Sequence, residues 1–127
     1  MTGYSRRATS RHRLRIKRVY LPPDVADGQR VLVDRLWPRG LRKADAHISA
    51  WLKDVAPSSA LRQWFGHDPA RWAEFQSRYS VELASNQAVE TLRQMWAHGD
   101  VTLVYSARDE AHNQARALAE YLQGAQG

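Results

Sequence analysis

The chain has 127 residues, of which 43% are hydrophobic and 25% charged, an ordinary composition for a globular protein with one compact domain. The absence of cysteine excludes disulfide bonds, thiol catalysis and cysteine-ligated metal centres. The formal net charge of +6 is unevenly distributed, since residues 1–18 carry +7 and residues 19–127 carry −1.

The basic N-terminal segment precedes a nearly neutral body. Residues 1–12 lack hydrophobic periodicity, which predicts a mobile basic arm followed by a single domain over residues 13–124. No apolar run approaches the roughly 20 residues that a membrane span requires, and no hydrophobic signal region follows the arm. We therefore expect a cytoplasmic protein that does not contact a membrane.

Three segments have the pattern of strands. Leu14 and Ile16 alternate with basic residues, as in a half-exposed first strand. Residues 30–36 predict a second strand, whose continuous apolar centre is typical of a strand covered on both faces. Val101–Tyr105 predicts a third strand.

The middle of the chain has helical spacing. Apolar residues at 48, 51, 52 and 55 predict a helix that Asp45 caps. Ser58 is placed to cap a short second helix, and Asp68 followed by proline is a strong start for a third. Two further helices are predicted over residues 86–98 and 109–123. Strands interleaved with helices indicate an α/β fold, a single small layered domain with a short, largely parallel sheet flanked by several helices.

The most unusual segment is residues 34–40, which read Asp-Arg-Leu-Trp-Pro-Arg-Gly directly after the second predicted strand. Ligands bind beyond the carboxyl ends of parallel strands, so Arg35 and Arg39 are candidate anion contacts, with Trp37 beside them. The alternative is structural: the Asp34–Arg35 pair is neutralised internally, and Trp37 closes the end of the core.

The third predicted strand also ends in polar sequence. The candidate anion contacts here are Tyr105 at the end of the strand, Ser106 and Arg108 after it, and Asp109 at the start of the last predicted helix. The first amides and positive dipole of that helix favour an anion. If the two strands are neighbours, Arg35, Arg39 and Arg108 converge on one pocket suited to a phosphate or a carboxylate.

Two other residues are candidates for chemistry. His67 is a candidate for proton transfer because imidazole titrates near neutrality, although an ordinary loop histidine explains it equally well. Lys53 is either a solvated lysine or a further anion contact. The five histidines form no close ligand pair, and no nucleotide-binding glycine motif occurs, so we predict no metal site and no cofactor.

The order and spacing of several segments resemble the YeaO-like branch of the "domain of unknown function 488" family over nearly all of residues 13–122. The similarity is carried by the segments at residues 31–40, 51–53, 56–58, 61–69 and 101–109. The resemblance implies a small cytoplasmic α/β protein and no particular activity. The family's motif residues correspond here to Arg35, Trp37, Arg39, Lys53, His67, Tyr105 and Asp109.

Three hypotheses about function follow. The first is an anion-binding domain for a phosphorylated small molecule or nucleotide, with His67 or Asp34 transferring a proton if the protein catalyses a reaction at phosphorus. The second is a nucleic-acid-binding module that uses the cations of residues 6–18. The third is an interaction protein without a ligand, in which the loop at residues 34–40 lies flat at a subunit contact. The oligomeric state is not readable from the sequence.

Overall fold

The structure, a computed structural model, describes residues 11–124. Four strands form one sheet: β1 (Leu14–Arg18), β2 (Gln29–Leu32), β3 (Ala50–Trp51) and β4 (Val101–Tyr105). Five α-helices surround it: α1 (Lys43–Ala46), α2 (Ser59–Phe65), α3 (Trp72–Ala84), α4 (Gln87–His98) and α5 (Gln114–Leu122). Short 3-10 turns cover Val25–Asp27, Lys53–Val55 and Pro69–Arg71. The predicted small α/β domain is confirmed.

The sheet has the strand order β1-β4-β2-β3, and each described pair of strands is parallel. Strand β4 lies between β1 and β2, with Leu103 paired to Val31. A further hydrogen bond of 3.1 Å, from the Val33 amide to the Val104 carbonyl, extends this pairing past the end of β2. The loops that follow β2 and β4 therefore leave the sheet side by side.

Side chains alternate between the two faces of the central strands. Val31 and Leu103 belong to the large core beneath α2, α3, α4 and α5, and both are fully buried. Leu32 and Val104, one position further along each strand, join Val19 in a smaller cluster on the opposite face. Both faces of β2 and β4 are thus covered, as the continuous apolar run of the second predicted strand indicated.

Several helix boundaries follow the predicted capping residues. The Ser58 hydroxyl accepts a hydrogen bond from the Leu61 amide, and Asp68 accepts one from the Ala70 amide ahead of α3. The last helix begins later than predicted, at Gln114, with Asn113 as its N-cap. Asp109 instead accepts the amides of Ala111 and His112, which satisfies these donors in a turn before the helix.

The predicted helix at residues 48–55 is wrong, and so is the proposed cap at Asp45. Asp45 lies inside the short helix α1, which ends at the left-handed residue His47, and Trp51 then forms strand β3. The physical reason is that the apolar residues of this segment serve two different cores. Ile48 packs on the smaller cluster and Val55 on the larger one, so a single helical stripe cannot bury both.

The strand prediction also changes at two points. The second strand ends at Leu32 rather than at residue 36, and β3 is an additional strand. Within residues 11–124, no helix is long and apolar enough to cross a membrane. Most of the predicted N-terminal arm, residues 1–10, lies outside the described residues.

Candidate functional site

A pocket of about 340 Å³ lies beyond the carboxyl ends of β2 and β4. Its walls come from the loop after β2, the segments on either side of α2, α2 itself, one residue of α3, and the segment from the end of β4 to the first residue of α5. The lining residues are Asp34, Arg35, Leu36, Trp37, Pro38, Arg39, Ala56, Pro57, Arg62, Phe65, His67, Phe75, Ser106, Ala107, Asn113 and Gln114. The pocket thus combines the two loops that the sequence singled out.

Asp34 is the buried carboxylate of this pocket, with 8% of its surface exposed. Its Oδ2 accepts hydrogen bonds from the Ser106 hydroxyl at 2.6 Å and the Ser106 amide at 3.1 Å. Its Oδ1 accepts one from Gln114 Nε2 at 2.5 Å. Burial raises the pKa of Asp34 above its ordinary value, although these hydrogen bonds favour the charged form.

Arg35 is held in place by backbone carbonyls rather than by an acid. Its Nη2 donates to the carbonyls of Ala56 at 3.1 Å and Pro57 at 3.3 Å. Its Nε is buried and has no hydrogen-bond partner among the described residues. The guanidinium is therefore fixed beside the pocket with its charge uncompensated by a carboxylate of residues 11–124.

Arg39 and Arg62 add two exposed guanidinium groups to the pocket lining. Neither forms an ion pair with a carboxylate in the described part of the chain. The loop that contains Arg39 is held to the segment that follows β1, because the Tyr20 hydroxyl donates a hydrogen bond of 2.8 Å to the Arg39 carbonyl. The pocket thus contains three arginines and one aspartate, which leaves an excess of positive charge.

Aromatic side chains form the apolar part of the wall. Trp37 is fixed by a hydrogen bond of 2.7 Å from its indole nitrogen to the Leu41 carbonyl, and its ring meets Trp51 edge to face at 5.5 Å. On the other side, the rings of Phe65 and Phe75 stack at 4.4 Å between α2 and α3. This arrangement gives a ligand an apolar surface beside the charged groups.

His67 reaches the pocket through an unusual backbone conformation. It follows the left-handed cap residue Gly66 of α2 and is itself left-handed, with φ of 56°. Its ring lies 6.2 Å from the ring of Phe65 and is exposed. The helix ends at its cap residue Gly66, and the histidine that follows is one of the residues that line the pocket.

The structure brings six of the predicted site residues together at this pocket: Asp34, Arg35, Trp37, Arg39, His67 and Ser106. The loop at residues 34–40 lines a cavity, whereas the ligand-free interaction hypothesis expects a flat surface. Arg62 and Gln114 also line it and were not predicted. Gln114 lies next to a predicted anion-binding segment. Arg62 lies within the segment 61–69 that carries the family resemblance, but its position on a helix surface gives no chemical reason to select it.

Four other predicted residues do not line the pocket. Lys53 is exposed, with its ammonium 5.2 Å from the Trp51 ring centre, and Tyr105 is buried in the large core. Arg108 is exposed on the loop after β4. Asp109 accepts a hydrogen bond from His112 Nδ1 at 2.9 Å, and this contact, with the backbone amides, lowers its pKa. The expected convergence of Arg35, Arg39 and Arg108 is thus replaced by one of Arg35, Arg39 and Arg62.

Part of the basic N-terminal segment is engaged within the fold. Lys17 donates to Asp27 at 3.1 Å, and Arg18 donates to the carbonyls of Ala107 and Ser106 at 2.9 and 3.1 Å. Its use as a nucleic-acid contact stays a prediction. In the described part of the chain, no group of three or more histidine, aspartate or glutamate side chains is placed to hold a metal ion.

Comparison with known proteins places the chain among uncharacterised relatives. Residues 13–126 match the family model DUF488-N3i, described as the inactive DUF488-N3 subclade. An uncharacterized protein of Mycobacterium tuberculosis is 48% identical over 112 residues, which cover 88% of this chain and 95% of the relative. The uncharacterized protein YeaO of Escherichia coli is 40% identical over 110 residues, covering 86% of this chain and 96% of its own length. No solved structure matches the chain.

Proposed function

The chain belongs to the DUF488-N3i family, and from this premise we propose that it is a binding domain for a phosphorylated small molecule, which it holds without chemical change. The observation that supports the proposal most directly is a pocket whose lining contains three arginines and a single carboxylate. The description of the subclade as inactive favours binding over turnover. A proton-transfer role for Asp34 or His67 stays a prediction.

The charge distribution supports an anionic ligand. A guanidinium group offers paired donors that match the oxygens of a phosphate, and Arg39 and Arg62 have no carboxylate partner among the described residues. Arg35 adds a third positive charge at a fixed position, because backbone carbonyls hold it. An anion that enters the pocket therefore need not break an internal ion pair with one of these residues.

The size of the pocket supports a small ligand. Its volume of about 340 Å³ lies near the lower end of the range of about 300–1,000 Å³ for ligand sites. This space suits a sugar phosphate or a nucleoside monophosphate better than a dinucleotide. The rings of Trp37 and Phe65 offer apolar surface to the part of the ligand that carries no charge.

The proposal predicts that phosphate esters bind and that the exposed arginines carry the affinity. We expect isothermal titration calorimetry to detect binding of ribose phosphate or adenosine monophosphate. Arg39→Ala and Arg62→Ala should each weaken binding roughly tenfold or more, because a hydrogen bond to a charged group contributes about 1.5–3 kcal/mol. Arg93→Ala is the matched control, since Arg93 contacts the Tyr121 ring and does not line the pocket.

Two binding results and one catalytic result would contradict this proposal. One is a panel of sugar phosphates and mononucleotides in which no compound binds to the wild-type chain. The other is an equal loss of affinity in the Arg93 control, which would indicate a general charge effect. Release of inorganic phosphate from a bound ester, abolished by Asp34→Asn, would instead establish catalysis and overturn the proposal of binding without turnover.

A further inference from the structure

Asp34 has hydrogen-bonding capacity that residues 11–124 do not use. An ionised carboxylate offers about four acceptor positions, two on each oxygen. Both positions of Oδ2 are taken by Ser106, through its amide and its hydroxyl, and one position of Oδ1 is taken by Gln114. One acceptor position therefore remains, on Oδ1, in a side chain that forms part of the pocket wall.

The surroundings of this free position restrict what it accepts. Asp34 forms no ion pair with a lysine or arginine among residues 11–124, so the free position is not filled by a cation of the described chain. An ammonium group on the ligand would be repelled by the excess positive charge of Arg35, Arg39 and Arg62. The remaining choice is a neutral donor, and a hydroxyl group is the neutral donor common to sugar phosphates.

We propose that Asp34 determines specificity in this pocket by accepting a hydrogen bond from a ligand hydroxyl, so that the ligand is a hydroxylated phosphate ester. The inference rests on the proposed function, because it takes the arginines as the phosphate contacts. The arginines and Asp34 have different roles. The arginines bind the phosphate group, which all these esters share, whereas Asp34 distinguishes among the organic groups esterified to that phosphate. A bare anion or an alkyl phosphate leaves this acceptor without a ligand donor.

Gln114 and Ser106 position the carboxylate for this task. Their three donors hold both carboxylate oxygens, so the free acceptor position has a fixed direction. The side chain of Asp34 therefore need not reorient when a ligand hydroxyl binds, which lowers the entropic cost of binding. Asp34→Asn changes the chemistry at this position while keeping the shape of the side chain. An asparagine whose oxygen accepts from Ser106 directs its amide group to the Oδ1 side and offers a donor where the ligand needs an acceptor.

The test compares two esters that differ only in their hydroxyl groups, glycerol phosphate and propyl phosphate, by calorimetry on the full chain. We expect the wild-type protein to prefer glycerol phosphate by about tenfold, the effect of one hydrogen bond to a charged group. In Asp34→Asn this ratio should fall close to one, because the loss of the carboxylate charge affects both esters in common, whereas the loss of the acceptor affects glycerol phosphate alone. A wild-type ratio near one, or an equal loss for both esters in the variant, would overturn the inference.

A second variant covers the case in which Asp34→Asn does not fold. Gln114→Ala frees another acceptor position on Oδ1, while Ser106 still holds Oδ2 through two hydrogen bonds, so the preference for glycerol phosphate should persist. A collapse of the ratio in this variant would overturn the inference, since it would assign the selectivity to Gln114. If neither ester nor inorganic phosphate binds to the wild-type chain, the proposed function itself fails, which is a distinct result.

Discussion

Two buried aspartates, Asp27 and Asp34, experience opposite electrostatic environments. Burial alone would raise the pKa of Asp27, but hydrogen bonds from Arg30 at 2.7 Å and Lys17 at 3.1 Å outweigh it and lower the pKa. Asp34 lies at the pocket with neutral donors only, and burial raises its pKa. The carboxylate of Asp27 therefore stabilises the folded state by pairing with two cations. The carboxylate of Asp34 has no cationic partner among residues 11–124, so it can interact with a ligand in the pocket.

Replacing Asp27 with asparagine should destabilise the protein at neutral pH. We expect a loss of about 3 kcal/mol in the free energy of unfolding, because the change leaves Arg30 buried without its counter-charge. The folded-state pKa is lowered, so this stabilisation is present above the ordinary aspartate pKa and is lost as pH falls through the lower folded value. Urea denaturation at neutral and at acidic pH measures both effects.

The control for this prediction is Asp45→Asn, which removes an exposed ion pair with Arg42. Exposed pairs contribute little, so its free energy of unfolding should stay within about 1 kcal/mol of the wild-type value. A loss from Asp27→Asn that does not shrink at acidic pH would contradict the assignment of the effect to the carboxylate charge.

At the scale of elements, one glycine determines how closely β2 approaches β4. Gly28 precedes β2 with φ of +62°, and a Cβ there would lie 2.3 Å from the backbone oxygen of Asp100. That oxygen also accepts the Gln29 amide at 2.9 Å, so the clash would fall on the bond that starts the pairing of the two strands. Neither backbone can move away without loss of this register.

Gly28→Ala should therefore be much more harmful than Gly40→Ala. Gly40 also has a positive φ, of +76°, but a Cβ there would meet no atom of residues 11–124 within 4 Å. We expect about 1 kcal/mol of conformational strain at Gly40 and about 2 kcal/mol more at Gly28, from the added steric clash. Equal losses in urea denaturation would show that the close approach to Asp100 does not limit the packing of β2 and β4.

The elements that the sequence predicted well are those with local determinants. Ser58 and Asp68 satisfy helix amides through their own side chains, so their positions are readable without knowledge of the fold. The segment at residues 48–55 has helical spacing but divides its apolar residues between two cores on opposite faces of the sheet. That division is a property of the tertiary structure, and no pattern within eight residues encodes it.

At the scale of the whole molecule, the site depends on the strand order. Residues 34–39 and Ser106 meet because β4 inserts between β1 and β2, and parallel pairing over such distances in sequence is not written in any one segment. The sequence predicts that the loops after β2 and β4 hold the site. It predicts that these loops share one pocket only if β2 and β4 are neighbours in the sheet, which the sequence does not determine. Arg62 of α2 and Phe75 of α3 also line the pocket. Helical periodicity predicts which face of a helix is buried, but it does not predict which part of the helix borders a cavity.

The distribution of charge over the whole chain yields a further prediction. The lining residues in the described part of the chain fall between Asp34 and Gln114, and residues 1–10 contribute two of the arginines behind the net charge. A chain that lacks residues 1–10 should thus bind ribose phosphate as tightly as the full chain at physiological salt, because salt screens the attraction of charges that do not contact the ligand. Calorimetry at low and at physiological salt measures this comparison.

The salt dependence separates direct contacts from long-range attraction. If residues 1–10 act only through their charge, the shortened chain binds more weakly at low salt and equally well at physiological salt, and Arg6→Ala with Arg7→Ala in the full chain reproduces that behaviour. Loss of binding at both salt concentrations would contradict a pocket that is complete within residues 34–114. The same pair of chains tests the nucleic-acid hypothesis, because DNA affinity carried by phosphate contacts to the basic segment falls with salt and with its removal. If the shortened chain keeps its affinity for ribose phosphate but loses its affinity for DNA, the pocket arginines and the basic N-terminal segment bind different ligands.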